Sequence, residues 1–304
     1  MLITEFINMM ESVVPLTAVG YARDAVGLQV GLPNRTELTA ALFAYEVTDS
    51  IIAEARKRKA NLIVAFHPLI FPTIDSITDR TRAGHLIQQL IKNDIALYVQ
   101  HTAFDTQPEF GTSRLMADAL GLDDIQTLTR INEILQPTFE GTHFGMGAVG
   151  TWQKPKKRHD VLRMVAETFQ SSCVKYNTVA PEKIKTVAMV GGSGMDFYDR
   201  ARSLGADAFI TADVRYHDFH RADHDKILLV DAGHAETERF VTQGMVKAAQ
   251  KSLKLSGSLP KAVSLYGSDA KKTFKARPFK GSWSSQLILL AKSEPNAVQY
   301  YCQK

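Results

Sequence analysis

Cysteine is nearly absent from the chain: its 304 residues hold two, Cys173 and Cys302. Two cysteines far apart build no disulfide framework, and without C-x-x-C spacing they make no cysteine zinc site, so a reducing, cytoplasmic setting is expected. Long apolar runs are also missing. Uninterrupted stretches such as Ile227 to Val230 and Leu287 to Leu290 fall far short of the roughly 20 residues that a spanning helix needs. The segment Met1 to Met10 carries Glu5 early and no basic start before an apolar block, so no secretory leader is expected. No membrane association follows from any of this.

What is present is an ordinary globular composition, 45% hydrophobic and 22% charged, which excludes a disordered or collagen-like chain. The net charge of +4 conceals an asymmetry: residues 241–304 carry +9 and residues 1–240 carry −5. A basic tail attracts phosphate-rich partners, nucleic acid among them, and equally serves as a solvated lysine-rich face.

Short β-branched runs alternate with longer helical patterns, the mark of an α/β protein with largely parallel strands. Strands are expected at Ala40 to Tyr45, Asn61 to Ala65, Ile95 to Gln100, Lys185 to Val190, Ala208 to Thr211 and Ile227 to Asp231. Helices are expected at Ser50 to Lys59 behind a Thr48 cap, Arg82 to Ile91, Ser113 to Leu120, Arg158 to Thr168, Asp196 to Leu204 and Glu236 to Leu253.

The sequence also resembles itself. At an offset of 146, Ala55, Arg56, Ala60 and Asn61 align with Ala201, Arg202, Ala206 and Asp207; at an offset of 133, His101 to Asp105 aligns with His234 to Glu238. The matches occur in the same order, which points to an internal duplication. The expected organisation is a first α/β half at 1–135, a linker with a connecting helix at 136–183, a second α/β half at 184–283 and a C-terminal extension at 284–304.

In open parallel sheets ligands gather beyond the carboxyl ends of the strands. The polar residues there are Glu46, His67, His101, Asp105, Asp213, His217, Asp231, His234 and Glu238. Imidazole nitrogen with carboxylate oxygen suits Zn, Mn, Fe or Ni, and a bridging carboxylate can hold two ions. Pro68 keeps His67 extended, and His234 with Glu238, four apart at a helix start, share one side. His217 leads an imidazole-rich cluster with His220 and His224 that lacks the H-E-x-x-H zincin pattern.

Other chemistries lack their signatures. Gly145 to Gly150 reads G-x-G-x-x-G but has no preceding strand and is followed by Pro155, so a dinucleotide fold is rejected. Gly191 to Gly194 follows a strand and either cradles an anion or permits a tight approach, but no Gly-Lys-Ser/Thr completes a P-loop. No G-x-S-x-G nucleophile elbow occurs.

Seven segments, DAVGLQVG (24–31), FHPLIF (66–71), HTAFD (101–105), GMGAVG (145–150), GGSG (191–194), ADVRYHD (212–218) and DAGHAETE (231–238), together resemble the NIF-three-like family of dinuclear metal centre proteins, also labelled GTP cyclohydrolase 1 type 2 homologues. The resemblance implies two similar α/β domains with a pair of divalent ions in the cleft between them, and a ring-shaped hexamer. It places metal ligands at His67, Asp105, His234 and Glu238, with Glu238 bridging. The family has two adjacent histidines where this chain has Phe66 and His67, and phenylalanine cannot ligate, so one metal position lacks a ligand. Glu46 and Ala25 are further departures. The implied activity is hydrolysis of a small phosphorylated or nucleotide-like molecule by metal-activated water, with His101 or His217 as proton carriers. The alternative is a non-catalytic metal-binding scaffold that binds a protein or nucleic acid through Lys271, Lys272 and Lys275.

Overall fold

The computed structural model describes residues 1–131 and 143–256 and, further on, the backbone of two short strands. It divides into two compact units. The first comprises Met1–Phe104 and resumes at Met245–Pro295; the second comprises Asp105–Gly244.

In the first unit, helix α1 (Ile3–Glu11) precedes β1 (Gly27–Val30), β2 (Ala40–Ala44), α2 (Asp49–Lys57), β3 (Leu62–Ala65), α3 (Arg82–Lys92) and β4 (Ala96–Val99), with the short α4 (His101–Asp105) at its end. Strands β2, β3 and β4 are mutually parallel, and β1 runs antiparallel to β4. All residues of β2, β3 and β4 are buried, as expected of a parallel sheet covered on both faces. Leu42, Ile63 and Leu97 meet Ile51 and Ala55 of α2 and Leu86 and Leu90 of α3 in one core. Helix α2 starts where Thr48 turns extended and its hydroxyl accepts the Ile51 amide at 3.3 Å; Asp49 opens it and Arg56 and Lys57 close it, each sign matching the helix dipole.

The second unit contains α5 (Thr112–Ala119), β5 (Asp123–Arg130), β6 (Gly145–Lys157), α6 (Arg158–Phe169), β7 (Lys175–Tyr176), β8 (Lys183–Ser193), α7 (Tyr198–Ser203), β9 (Ala208–Ala212), α8 (Tyr216–Asp225), β10 (Leu228–Asp231) and α9 (His234–Thr237). Its sheet runs β5-β6-β8-β9-β10-β7, with β8, β9 and β10 parallel. Met116, Val161 and Val165 pack on one face beside Val187, Met189 and Ile210, and Tyr198, Ala201 and Ala222 on the other beside Ala188, Phe209 and Leu229. Helix α10 (Val241–Leu255) follows, and in the first sheet β11 (Ser264–Gly267) pairs with β2 and β12 (Ile288–Leu289) with β11.

The duplication is visible in the bonding. The order β1-β4-β3-β2 of one sheet repeats as β7-β10-β9-β8 in the other. The Ala60 amide bonds the Ala55 carbonyl at 2.8 Å, and the Ala206 amide bonds the Ala201 carbonyl at 3.2 Å. Asn61 Oδ1 accepts the Thr39 amide ahead of β2 at 2.9 Å, while Asp207 Oδ2 accepts the Lys185 and Thr186 amides of β8 at 2.8 and 2.9 Å. Lys59 and Gly205, 146 residues apart, both take a positive φ in the turn before the strand.

The unit boundary falls within α4 rather than near residue 135, because β5 pairs with β6 and belongs to the second sheet. The segment expected as a linker at 136–183 holds the 13-residue β6 besides the expected helix. Its three glycines and Pro155 hide the strand, and the proline is accommodated where the β6–β8 register shifts between Thr151 and Lys156. Among the described residues no helix is long and apolar enough to cross a membrane. The extension at 284–304 lies outside the described residues except for β12.

Candidate metal centre

The second unit presents a histidine–carboxylate pair at the carboxyl end of its parallel strands. Gly233 starts α9, a single turn that places His234 and Glu238 on one side. His234 Nε2 lies 3.2 Å from Glu238 Oε2, and its Nδ1 lies 2.6 Å from Asp213 Oδ2. Burial works to lower the His234 pKa, but the hydrogen bonds and charges of Glu238 and then Asp213 outweigh it and push it up to about 10. An imidazole held between two carboxylates keeps a cation at its Nε2, either a proton or a metal ion in the proton's place.

The end of β8 is shaped to these donors. Gly192 has φ +64°, and a Cβ added there would collide with Glu238 Oε1 and come within 3.0 Å of His234 Nε2. Its amide donates to Thr237 Oγ1 at 3.0 Å and its carbonyl accepts from Thr211 Oγ1 at 2.9 Å. Both ends of the glycine are thus clamped against the donor pair. At Gly191 a Cβ would strike the Thr112 side chain, and the Thr112 hydroxyl donates to Asp105 Oδ1. The glycine run therefore serves close packing: Gly192 lies against His234 and Glu238, and Gly191 against Thr112, whose hydroxyl holds Asp105. Nitrogen and oxygen donors at a strand end, with a backbone cradle that no side chain fills, fit a borderline divalent ion.

In the first unit His67 follows β3, its amide bonded to the Tyr45 carbonyl at 2.9 Å. Its ring lies 4.6 Å from Tyr45, 4.9 Å from Phe66 and 5.5 Å from His101, centroid to centroid. Phe66 is fully buried and also meets the rings of His101 and Phe104. His101 Nδ1 lies 2.7 Å from Asp24 Oδ1, and Asp24 Oδ2 accepts the amide and the hydroxyl of Thr102. Burial works to raise the Asp24 pKa, but these bonds together hold it below the usual carboxylate value.

Other strand-end residues have structural work. Asp231 is buried, bonded to Lys175 Nζ at 2.7 Å and to the Val214 and Gly233 amides. Glu46 pairs with Arg82 at 3.0 Å. His217 is exposed at the start of α8, where its ring meets Tyr216 and His220. Sequence reasoning named Asp213 without a role, left the glycine run of Gly192 between an anion cradle and a tight approach, and gave Thr211 and Thr237 none, because clamps of this kind follow from three-dimensional packing and no motif announces them.

The fold and the His/Glu donor pair define a two-sheet α/β protein with a candidate metal-binding cluster. The chain belongs to the Duf34/NIF3 (NGG1p interacting factor 3) family, whose profile it matches over residues 1–264. Two relatives named GTP cyclohydrolase 1 type 2 homolog are 31% identical over 251 residues (Clostridium perfringens; 83% of this chain and 91% of that one) and 35% identical over 218 residues (Streptomyces coelicolor; 71% and 74%). The solved Bacillus cereus protein related to NIF3 shares the fold, with a TM-score of 0.78 at 22% identity over 90% of this chain and 99% of that one.

Proposed function

We propose that the protein is a divalent-metal-dependent hydrolase of a small phosphorylated or nucleotide-like substrate, GTP cyclohydrolase-like in type, with His67, Asp105, His234 and Glu238 holding one or two ions of Zn, Mn, Fe or Ni. The observation that supports it most is the His234–Glu238 pair pressed against the side-chain-free Gly192. When bound, the divalent ion supplies Lewis acidity and an activated water. Glu238 supplies the second donor beside His234 Nε2 and offsets the cation's charge. His101, oriented through Nδ1 by Asp24, is placed to accept or return a proton. His217, exposed on α8, is a proton carrier only where substrate reaches that helix. The setting is cytoplasmic and the assembly a homo-oligomer, a hexamer by family resemblance.

The test is turnover of GTP and a panel of other nucleotides by metal-stripped protein, before and after reloading with zinc or manganese. Product is expected only after reloading, and is expected to vanish in Glu238→Ala with an unchanged circular dichroism spectrum. Turnover that survives chelation or survives Glu238→Ala contradicts the proposal.

A further inference from the structure

We propose that Asp213 is a positioning residue of the metal centre: its carboxylate fixes the His234 ring so that Nε2 is the donor nitrogen facing Glu238, and strengthens that nitrogen as a ligand. This rests on the metal reading of His234 and Glu238. The contact is short, 2.6 Å from Asp213 Oδ2 to His234 Nδ1. With Nδ1 carrying the shared hydrogen, the lone pair belongs to Nε2, which is already turned to Glu238 Oε2 at 3.2 Å. An Nδ1–H bonded to a carboxylate raises the basicity of the opposite nitrogen and removes the alternative tautomer and ring flip.

Asp213 is half exposed, and a surface ion pair alone would be a weak argument. The backbone makes the case stronger. Asp213 sits at φ +53°, a conformation that side-chain-bearing residues seldom adopt, directly after β9. The buried Asp231 carboxylate bonds the amides of both Val214 and Gly233, the residues next to Asp213 and His234. One fixed group therefore anchors both loops, and the distance between the two side chains is set by the scaffold. The same construction occurs in the first unit, where Asp24 holds His101 by Nδ1 at 2.7 Å.

Zinc affinity of the full chain, measured by titration calorimetry against a competing chelator, decides the matter. Asp213→Asn tolerates the left-handed backbone and can still accept the Nδ1 hydrogen, so about a tenfold weakening is expected from the lost charge alone. Asp213→Ala loses orientation as well, and a weakening of up to about a hundredfold is expected. Nitrogen-15 spectra of the zinc-loaded protein should show His234 protonated at Nδ1 in wild type and Asp213→Asn, and a mixture in Asp213→Ala. Affinities within about twofold of wild type in both variants, while His234→Ala loses zinc, would overturn the role of Asp213, as would ligation through Nδ1. Wild-type protein that takes up no zinc would remove the metal reading itself, and the positioning role with it, before any variant is compared.

Discussion

Substituting alanine at Gly192 probes the centre from the backbone side, and Gly205 provides its control. Both glycines have positive φ, +64° and +72°, so alanine at either costs about 1–2 kcal/mol of left-handed strain. Around Gly205 no atom lies within 4 Å of an added Cβ, so strain is the whole effect. At about 2–4 °C per kcal/mol, Gly205→Ala should melt about 2–8 °C lower than wild type. At Gly192 the new methyl meets Glu238 Oε1, and it meets His234 Nε2 at 3.0 Å and Glu238 Cδ at 3.2 Å. Thr237 and Thr211 hold the glycine's own amide and carbonyl, so the donors must move instead. Overpacking of this kind adds about 1–3 kcal/mol, and zinc affinity should fall at least about tenfold in Gly192→Ala while Gly205→Ala binds as wild type. Differential scanning fluorimetry with and without zinc reads both effects. Equal melting shifts in the two variants together with unchanged zinc binding would refute the close approach of Gly192 to the donor pair.

Two further perturbations address charge and duplication. In metal-free protein the His234 pKa stands near 10 against an ordinary 6.5. Its stabilisation is therefore complete below about pH 6.5 and is lost as pH rises through 10, and the melting temperature should decline across that window. Zinc displaces the same proton, so its affinity should climb with pH up to about 10, and a pH-independent affinity from 7 to 9 would contradict this. Asn61→Ala and Asp207→Ala remove equivalent clamps on parallel strands, and each should cost about 0.5–1.5 kcal/mol in urea unfolding; no loss at either position would show the repeated bonds to be incidental.

Much of the architecture was legible because both halves obey simple patterns. The fully buried cores of β3 and β9 are read from apolar runs, and Thr48 announces α2 by capping chemistry. The repeat Ala55-Arg56…Ala60-Asn61 against Ala201-Arg202…Ala206-Asp207 reflects a shared turn and strand clamp. Strand β6 escaped because three glycines and Pro155 blur its alternation, and the boundary moved with it because β5 pairs antiparallel with β6. The donors His234 and Glu238 were legible by spacing. The support from Asp213, Thr211 and Thr237 was not, since those contacts join β8, β9 with the residue after it, and α9. Phe66, which the resemblance marks as a missing ligand, is a buried member of the ring cluster of Tyr45, His67, His101 and Phe104.

The most direct measurement is the metal content of the purified chain by elemental analysis, in wild type, Glu238→Ala, His234→Ala and Phe66→His. Wild type is expected to carry stoichiometric divalent metal, the first two variants to lose it without loss of secondary structure, and Phe66→His to hold one ion more than wild type. Metal-free wild-type protein that takes up no ion on reloading, or an undiminished metal content in both Glu238→Ala and His234→Ala, would contradict a centre built on this pair.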